Sequence, residues 1–317
     1  MMGVRTLTAE AFFPAAHALA ESALWSAETG ALVYVDIDAG RLYQLPAGAP
    51  LAAHETALGR WVGAVVPAGP GEVLALAEPG LVRVGLAGGE CALLHPSVGL
   101  PPGQRYNDAK LDRQGRLVAS SIGLASPRGP SGTVFTLDGA VPRVLIDGLR
   151  TPNAICFSPD GRWLYAADTA VGTLWRFAYE SGGGLGPRAD FAAPDIAPGK
   201  PDGATVDAEG CVWSARYNGG AVARITPEGR LDTLVTLPVR QITSCAFGGP
   251  GLELLFITTA RQTLDAAGLA AQPLAGSIFV VRPGVSGVAE SVFAGLGASA
   301  APAKTNNKSG PTGGLTP

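Results

Sequence analysis

Four oxygen-bearing side chains stand at one phase of this sequence. Glu21 lies nine residues before Gly30, and Asn107, Asn153 and Asp202 lie eight residues before Gly115, Gly161 and Gly210. Two carboxylates with amide oxygens, and no His or Cys among them, form the donor set of a hard divalent cation such as Ca²⁺, Mg²⁺ or Mn²⁺. Taken singly, each residue also suits a strand start or turn, where Asn and Asp bond nearby backbone. Asn153 and Asp202 both follow proline, in T-P-N and K-P-D. Four such residues at one phase favour a shared site over four separate turns. At the two remaining phases stand Gly63 and Thr243.

The elements that must position these residues are repeated units. Each unit has a glycine turn, a short apolar strand, a second turn and another strand, as in TGALVYVDIDAGRLYQL from Thr29 and DGRWLYAADTAVGTLWRF from Asp160. The turn glycines Gly30, Gly71, Gly115, Gly161, Gly210 and Gly251 recur at intervals of 41 to 49 residues. That period, with four short strands per unit, is the signature of a β-propeller blade. Alternation and β-branched residues occupy the places where a helical repeat would need 3.6-residue periodicity. The expected fold is therefore all-β, a six-bladed propeller over residues 1–300 with four-stranded blades and a metal site in its central channel. Thr6–Phe13 (TLTAEAFF) is expected to supply the strand that closes the ring. Each phase position begins an innermost strand, so Glu21, Asn107, Asn153 and Asp202 should converge at one channel mouth.

Composition agrees. Glycine (44) and proline (26) are abundant, as tight turns require, and the chain is 47% hydrophobic but only 15% charged, too apolar for disorder. A net charge of −3 offers no basic excess for a nucleic acid partner. No run of 18 apolar residues spans a membrane. Ala11–Ala20 has a weak likeness to a secretory leader, but Pro14 and His17 interrupt it. Cys91, Cys156, Cys211 and Cys245 have no C-x-x-C spacing, and three sit in apolar stretches. Buried free thiols and a cytoplasmic location are expected. The tail 301–317 has turn formers without apolar periodicity and is expected to be mobile.

The motifs around these residues resemble the regucalcin/gluconolactonase (SMP-30-like) family of sugar lactonases. The matching segments are E-S-A-L-W at 21–25, R-Y-N-D-A-K at 105–110, T-P-N-A-I-C-F-S-P-D-G at 151–161, K-P-D-G-A-T-V-D-A-E-G at 200–210 and T-S-C-A-F-G-G at 243–249. The resemblance implies one divalent cation held by Glu21, Asn153 and Asp202, with Ca, Zn, Mg, Mn and Fe all open. It also implies substrate contacts from Arg105 and Asn107. Departures occur on the substrate side. Ser22 and Ala23 stand where the family has Gly-Pro, and Ala109 replaces a glycine. The third-blade run Ser120–Arg128 lacks an acid found in some relatives.

The implied reaction is hydrolysis of an aldonolactone, such as a glucono-, xylono- or arabinolactone, to its acid. A divalent cation polarises the carbonyl, and Asp202, with Glu21 as the alternative, serves as base. Arg105 presents planar donors to sugar hydroxyls or the new carboxylate, and Asn107 a donor and an acceptor. Lys110 is assigned as a further substrate contact, against the alternative of a solvated surface lysine. Asp108 reads as a partner for backbone. The three histidines miss the channel phase and no G-x-S-x-G elbow exists, so nucleophilic catalysis fits poorly. Two other readings stay open: a non-catalytic cation-binding propeller, and a related esterase or organophosphate hydrolase on the same fold. The expected partner is a small sugar lactone, with no nucleic acid or membrane, on a monomer or weak homo-oligomer.

Overall fold

A computed structural model describes residues 3–96, 100–125 and 128–296. Six sheets stand in a ring, each an up-and-down antiparallel meander whose first strand faces the axis. The inner strands are Ala20–Ser26, Val62–Gly69, Gln104–Leu111, Pro152–Phe157, Lys200–Val206 and Ile242–Gly248, for blades one to six. The chain is a six-bladed β-propeller.

Closure uses both halves of the N-terminal segment, in two different blades. Glu10–Phe13 pairs antiparallel with Ile278–Val281 and completes blade six, as expected. Arg5–Thr8 instead lies parallel to Leu231–Thr236 and adds a fifth strand to blade five. Buried Ala9 separates the two strands, and its N–H bonds to the Thr236 carbonyl. The ring is thus held shut by one short segment that bridges neighbouring blades.

Each blade is apolar on both faces because both are covered. Leu24, Val33 and Val35 of blade one pack on Val62, Val65 and Val73 of blade two. Tyr106, Ala109 and Leu111 of blade three pack on Ala64, Leu74 and Leu76 of blade two. Equivalent clusters fill the other four seams. Three of the four cysteines, Cys156, Cys211 and Cys245, are buried free thiols in this packing; Cys91 is exposed. Among the described residues no helix is long and apolar enough to cross a membrane. The 301–317 tail lies outside the described residues.

One feature recurs in every blade and was not evident from the repeat. Each inner strand carries a β-bulge at the phase position: between Glu21 and Leu24, Val62 and Ala64, Tyr106 and Ala109, Asn153 and Cys156, Pro201 and Ala204, and Ile242 and Ser244. A bulge adds residues to one strand and re-aims a side chain. Six of them at one height turn six positions toward the axis.

Candidate functional site

The bulges explain which phase positions bear a useful side chain. A Cβ on Gly63 would lie 2.2 Å from the Tyr106 carbonyl oxygen, so blade two has no room for one. Thr243 spends its hydroxyl on the Ala20 carbonyl and on Thr258. Buried Asn107, Asn153 and Asp202 remain, together with the half-buried Glu21. The bulges cost backbone strain: Ser22 and Ala154, beside Glu21 and Asn153, have φ of 53° and 58°, a left-handed conformation that disfavours any residue but glycine. Ser22 is held there by its hydroxyl, which accepts the Val65 N–H at 2.9 Å.

The amides are locked by a chain of hydrogen bonds across three blades. Arg105 Nη1 donates to the Tyr106 carbonyl at 2.8 Å and to Asn107 Oδ1 at 2.9 Å. Asn107 Nδ2 donates to Asn153 Oδ1 at 2.7 Å and to the Pro152 carbonyl at 3.1 Å. Asn153 Nδ2 donates to Thr169 Oγ1 at 2.9 Å, which donates to the Pro201 carbonyl at 2.8 Å, one residue before Asp202. Both Asn107 amide protons are thereby used. In this structure Asn107 orients Arg105 and Asn153.

The carboxylates are less well satisfied: Glu21 Oε2 accepts the Ser22 N–H at 3.1 Å. Burial, then the charge of Asp108, pushes Glu21 up to about 8. Burial, then the charge of Glu21, raises Asp202 well above the ordinary carboxylate range. Asp108 itself is a structural acceptor, as expected: its Oδ2 takes the Ile155 N–H at 3.0 Å. Burial, then the charge of Arg128, lowers Arg105 to about 10, while Asp38, Glu21 and Asp202 act in the opposite sense. Among the described residues no three His, Cys, Asp or Glu side chains gather as a metal cluster. The set here is two carboxylates and an amide. It fits a hard divalent cation, because acids raised by burial and by neighbouring carboxylates, Asp108 on Glu21 and Glu21 on Asp202, carry a repulsion that a cation relieves.

Lys110 is placed elsewhere. Its ammonium lies 2.7 Å from Glu290, toward the opposite end of the channel from the mouth where Glu21 stands. The sequence had no signal for this, since Glu290 lies outside every repeat. Three further residues act on the site: Asp38 and Tyr217 were missed, while Arg128 ends the third-blade run singled out in the sequence. Asp38 is on the turn after the second strand of blade one, and its carboxyl is raised by burial while Arg105 and Arg128 oppose the shift. Arg128 acts electrostatically on Arg105 and Asp202. Tyr217 is raised by burial, bonds to Thr263 and Gln262, and feels Asp202 and Glu21. The Ser120–Arg128 run divides: Ser120 is buried within the sheet and accepts the Asp108 N–H at 3.0 Å, while Arg128 reaches the mouth. Residues 126 and 127 lie outside the described part. His17 bonds to the Tyr34 hydroxyl at 2.8 Å and faces Asp36, which confines it to the blade-one core.

Two acids, an amide and a guanidinium thus stand at the inner-strand starts of a six-bladed propeller. Residues 19–261 match the model of the SMP-30/gluconolactonase/LRE-like region, and the chain belongs to that family. It is 34% identical to a 6-deoxy-6-sulfogluconolactonase of Pseudomonas putida over 87% of this chain and 95% of the relative. It is also 34% identical to a pentonolactonase of Haloferax volcanii over 76% and 81%. The crystal structure of a calcium-binding protein, regucalcin, from Agrobacterium tumefaciens superposes with a TM-score of 0.86 at 27% identity, covering 92% of this chain and 99% of that one.

Proposed function

We propose that this protein hydrolyses a sugar lactone to its aldonic acid, with one divalent cation held by Glu21, Asn153 and Asp202. The observation that carries the reading is the Arg105–Asn107–Asn153 hydrogen-bond chain, which orients the Asn153 amide at the same phase as Glu21 and Asp202, whose charges are coupled. Lactonase names among the relatives support the reaction class.

When bound, the cation supplies Lewis acidity toward the lactone carbonyl and toward water. The chain supplies the rest. Water adds to the carbonyl carbon and gives a proton to Asp202, with Glu21 as the alternative acceptor. Collapse of the tetrahedral species breaks the ring C–O bond, and the ring oxygen takes that proton as the new hydroxyl. Asp202 thereby orients the attacking water and relays its proton to the ring oxygen. Arg105, pinned by Asn107 and the Tyr106 carbonyl, directs its remaining N–H groups to the sugar hydroxyls or the new carboxylate. Asp38, Arg128 and Tyr217 wall the substrate end.

The test is a panel of pentono- and hexonolactones assayed after chelator treatment, with Ca²⁺, Zn²⁺, Mg²⁺, Mn²⁺ and Fe²⁺ added back singly. Cation-dependent opening of at least one lactone is expected. No opening with any cation, while the protein still binds one, would favour the non-catalytic reading. An apolar mouth suited to an organophosphate is not what Arg105, Arg128 and Asp38 make.

A further inference from the structure

At the far end of the channel the chain does something the repeat does not require. After blade six, residues 286–294 cross the face that carries the turn glycines. The Ser286 carbonyl accepts the Ala208 N–H of blade five, and the Gly287 N–H bonds to the Leu252 carbonyl of blade six. The Phe293 N–H then bonds to the Pro67 carbonyl of blade two, and the Ala294 N–H to the Gly115 carbonyl of blade three. This strap lies tight against the ring. A Cβ on Gly287 would stand 2.2 Å from Phe247 Cβ, and one on Gly115 would stand 2.3 Å from the Val292 carbonyl oxygen.

At mid-span the strap carries Glu290, whose Oε1 meets Lys110 Nζ at 2.7 Å. Both side chains are largely withdrawn from water, at 14% exposure for Lys110 and 23% for Glu290. Lys110 stands on the inner strand that also bears Arg105, Asn107 and Asp108. Burial works most strongly against its charge, but Glu290, foremost among the opposing groups, and Asp108 together leave its pKa above the ordinary value. Lys110 therefore remains an ammonium inside the channel, with Asp108 the next acid in reach. Asp108 in turn acts on both Glu21 and Asp202. An uncompensated ammonium in a low-dielectric channel repels a cation held in the same channel.

We propose that Glu290 is a positioning residue of the candidate cation site: it anchors Lys110 in the channel floor and cancels its charge, so that Glu21 and Asp202 are left to the cation. The inference rests on the cation reading of the site. It assigns the strap an electrostatic task in addition to closing the channel.

The sign of two single variants separates this role from a merely structural one. Binding of Ca²⁺ and Mn²⁺ to the chelator-treated full chain is measured by calorimetry, with folding checked by circular dichroism. Glu290→Gln leaves Lys110 uncompensated and should weaken binding roughly tenfold. Lys110→Met leaves an added negative charge and should tighten it several-fold. The Lys110→Met/Glu290→Gln double variant removes both charges and should return to within about twofold of the parent. If both single variants weaken binding, or neither changes it, the proposal is wrong while the cation site stands. If the parent binds no divalent cation, both fall together. Should Glu290→Gln fail to fold, the direction of the Lys110→Met change decides.

Discussion

Asn107 Nδ2 lies 2.7 Å from Asn153 Oδ1, so a residue of blade three sets the rotamer of a candidate cation ligand in blade four. The same Asn107 presents its own oxygen to Arg105 at 2.9 Å. One amide thereby couples the cation side of the site to the substrate side.

Asn107→Ala should therefore damage both functions at once. It frees Asn153 to rotate and leaves Arg105 with the Tyr106 carbonyl as its remaining anchor among the described contacts. Misplacement of a catalytic group by about 1 Å costs roughly 10² in rate. A fall of about that size in kcat/KM, together with weaker cation binding in titrations, is expected. Loss of one without the other would contradict the coupling.

Asp202→Asn should injure turnover more than Arg105→Ala. The amide keeps shape and one ligand oxygen but removes both charge and basicity, so kcat falls. Arg105→Ala removes donors to the substrate and should act chiefly on KM. Steady-state kinetics of both folded variants distinguish the two, and equal losses of kcat would refute the division of labour.

Cation and proton compete for Glu21. Its folded pKa, about 8, exceeds the ordinary 4.5, so the folded, cation-free protein binds more protons than the unfolded chain between these values. Its stability contribution is complete below the unfolded value and is lost as pH rises through the folded one. A cation needs the deprotonated form, so its stabilisation grows over the same window. Thermal melts with Ca²⁺ and with chelator should show a Tm gap that widens from pH 5 to pH 8. A constant gap would mean that Glu21 is not a ligand.

The fold was legible because turn glycines and alternating strands survive in every blade, and the site because its residues keep one distance from those glycines. The bulges were not legible. Glu21, Asn107, Asn153 and Asp202 sit beside Ser, Asp, Ala and Gly, which share no motif, and only Ser22 and Ala154 show the left-handed turn. For Lys110 and Asn107, sequence shows which strand holds the residue but not what its side chain meets. Glu290 and Thr169, their partners or partners' partners, lie far away in the chain. Asp38 was hidden in the turn after the second strand of blade one.

Ser22→Gly tests the strain beside Glu21. Relief of the left-handed φ of 53° is worth about 1–2 kcal/mol. Against it stand about 0.5–1 kcal/mol of added unfolded-state entropy and the loss of the Ser22 hydroxyl that accepts the Val65 N–H. A buried N–H left unpaired costs about 1–3 kcal/mol. The losses win, and a net destabilisation of about 1 kcal/mol, read as a lower denaturant midpoint with unchanged slope, is expected. A variant more stable than the parent would show that strain outweighs the bond.

The substrate end suggests a broad range of lactones. Ser120, which might have lined the site, is bonded inside the sheet to Asp108. The wall falls instead to Asp38, carried on a turn, and Arg128, two residues that keep much of their surface in water although the Asp38 carboxyl is partly desolvated. Strong discrimination between sugars needs a buried polar group that a wrong substrate leaves unpaired; an exposed group regains water and loses little. Xylono-, arabino- and gluconolactones should therefore be opened with kcat/KM values within roughly 10³ of one another. Asp38→Ala and Arg128→Ala should shift those ratios by less than about tenfold each, as expected for contacts that remain solvated. A parent ratio above 10³, or a ratio that collapses in either variant, would mean that the loops close over the substrate and bury these groups during turnover.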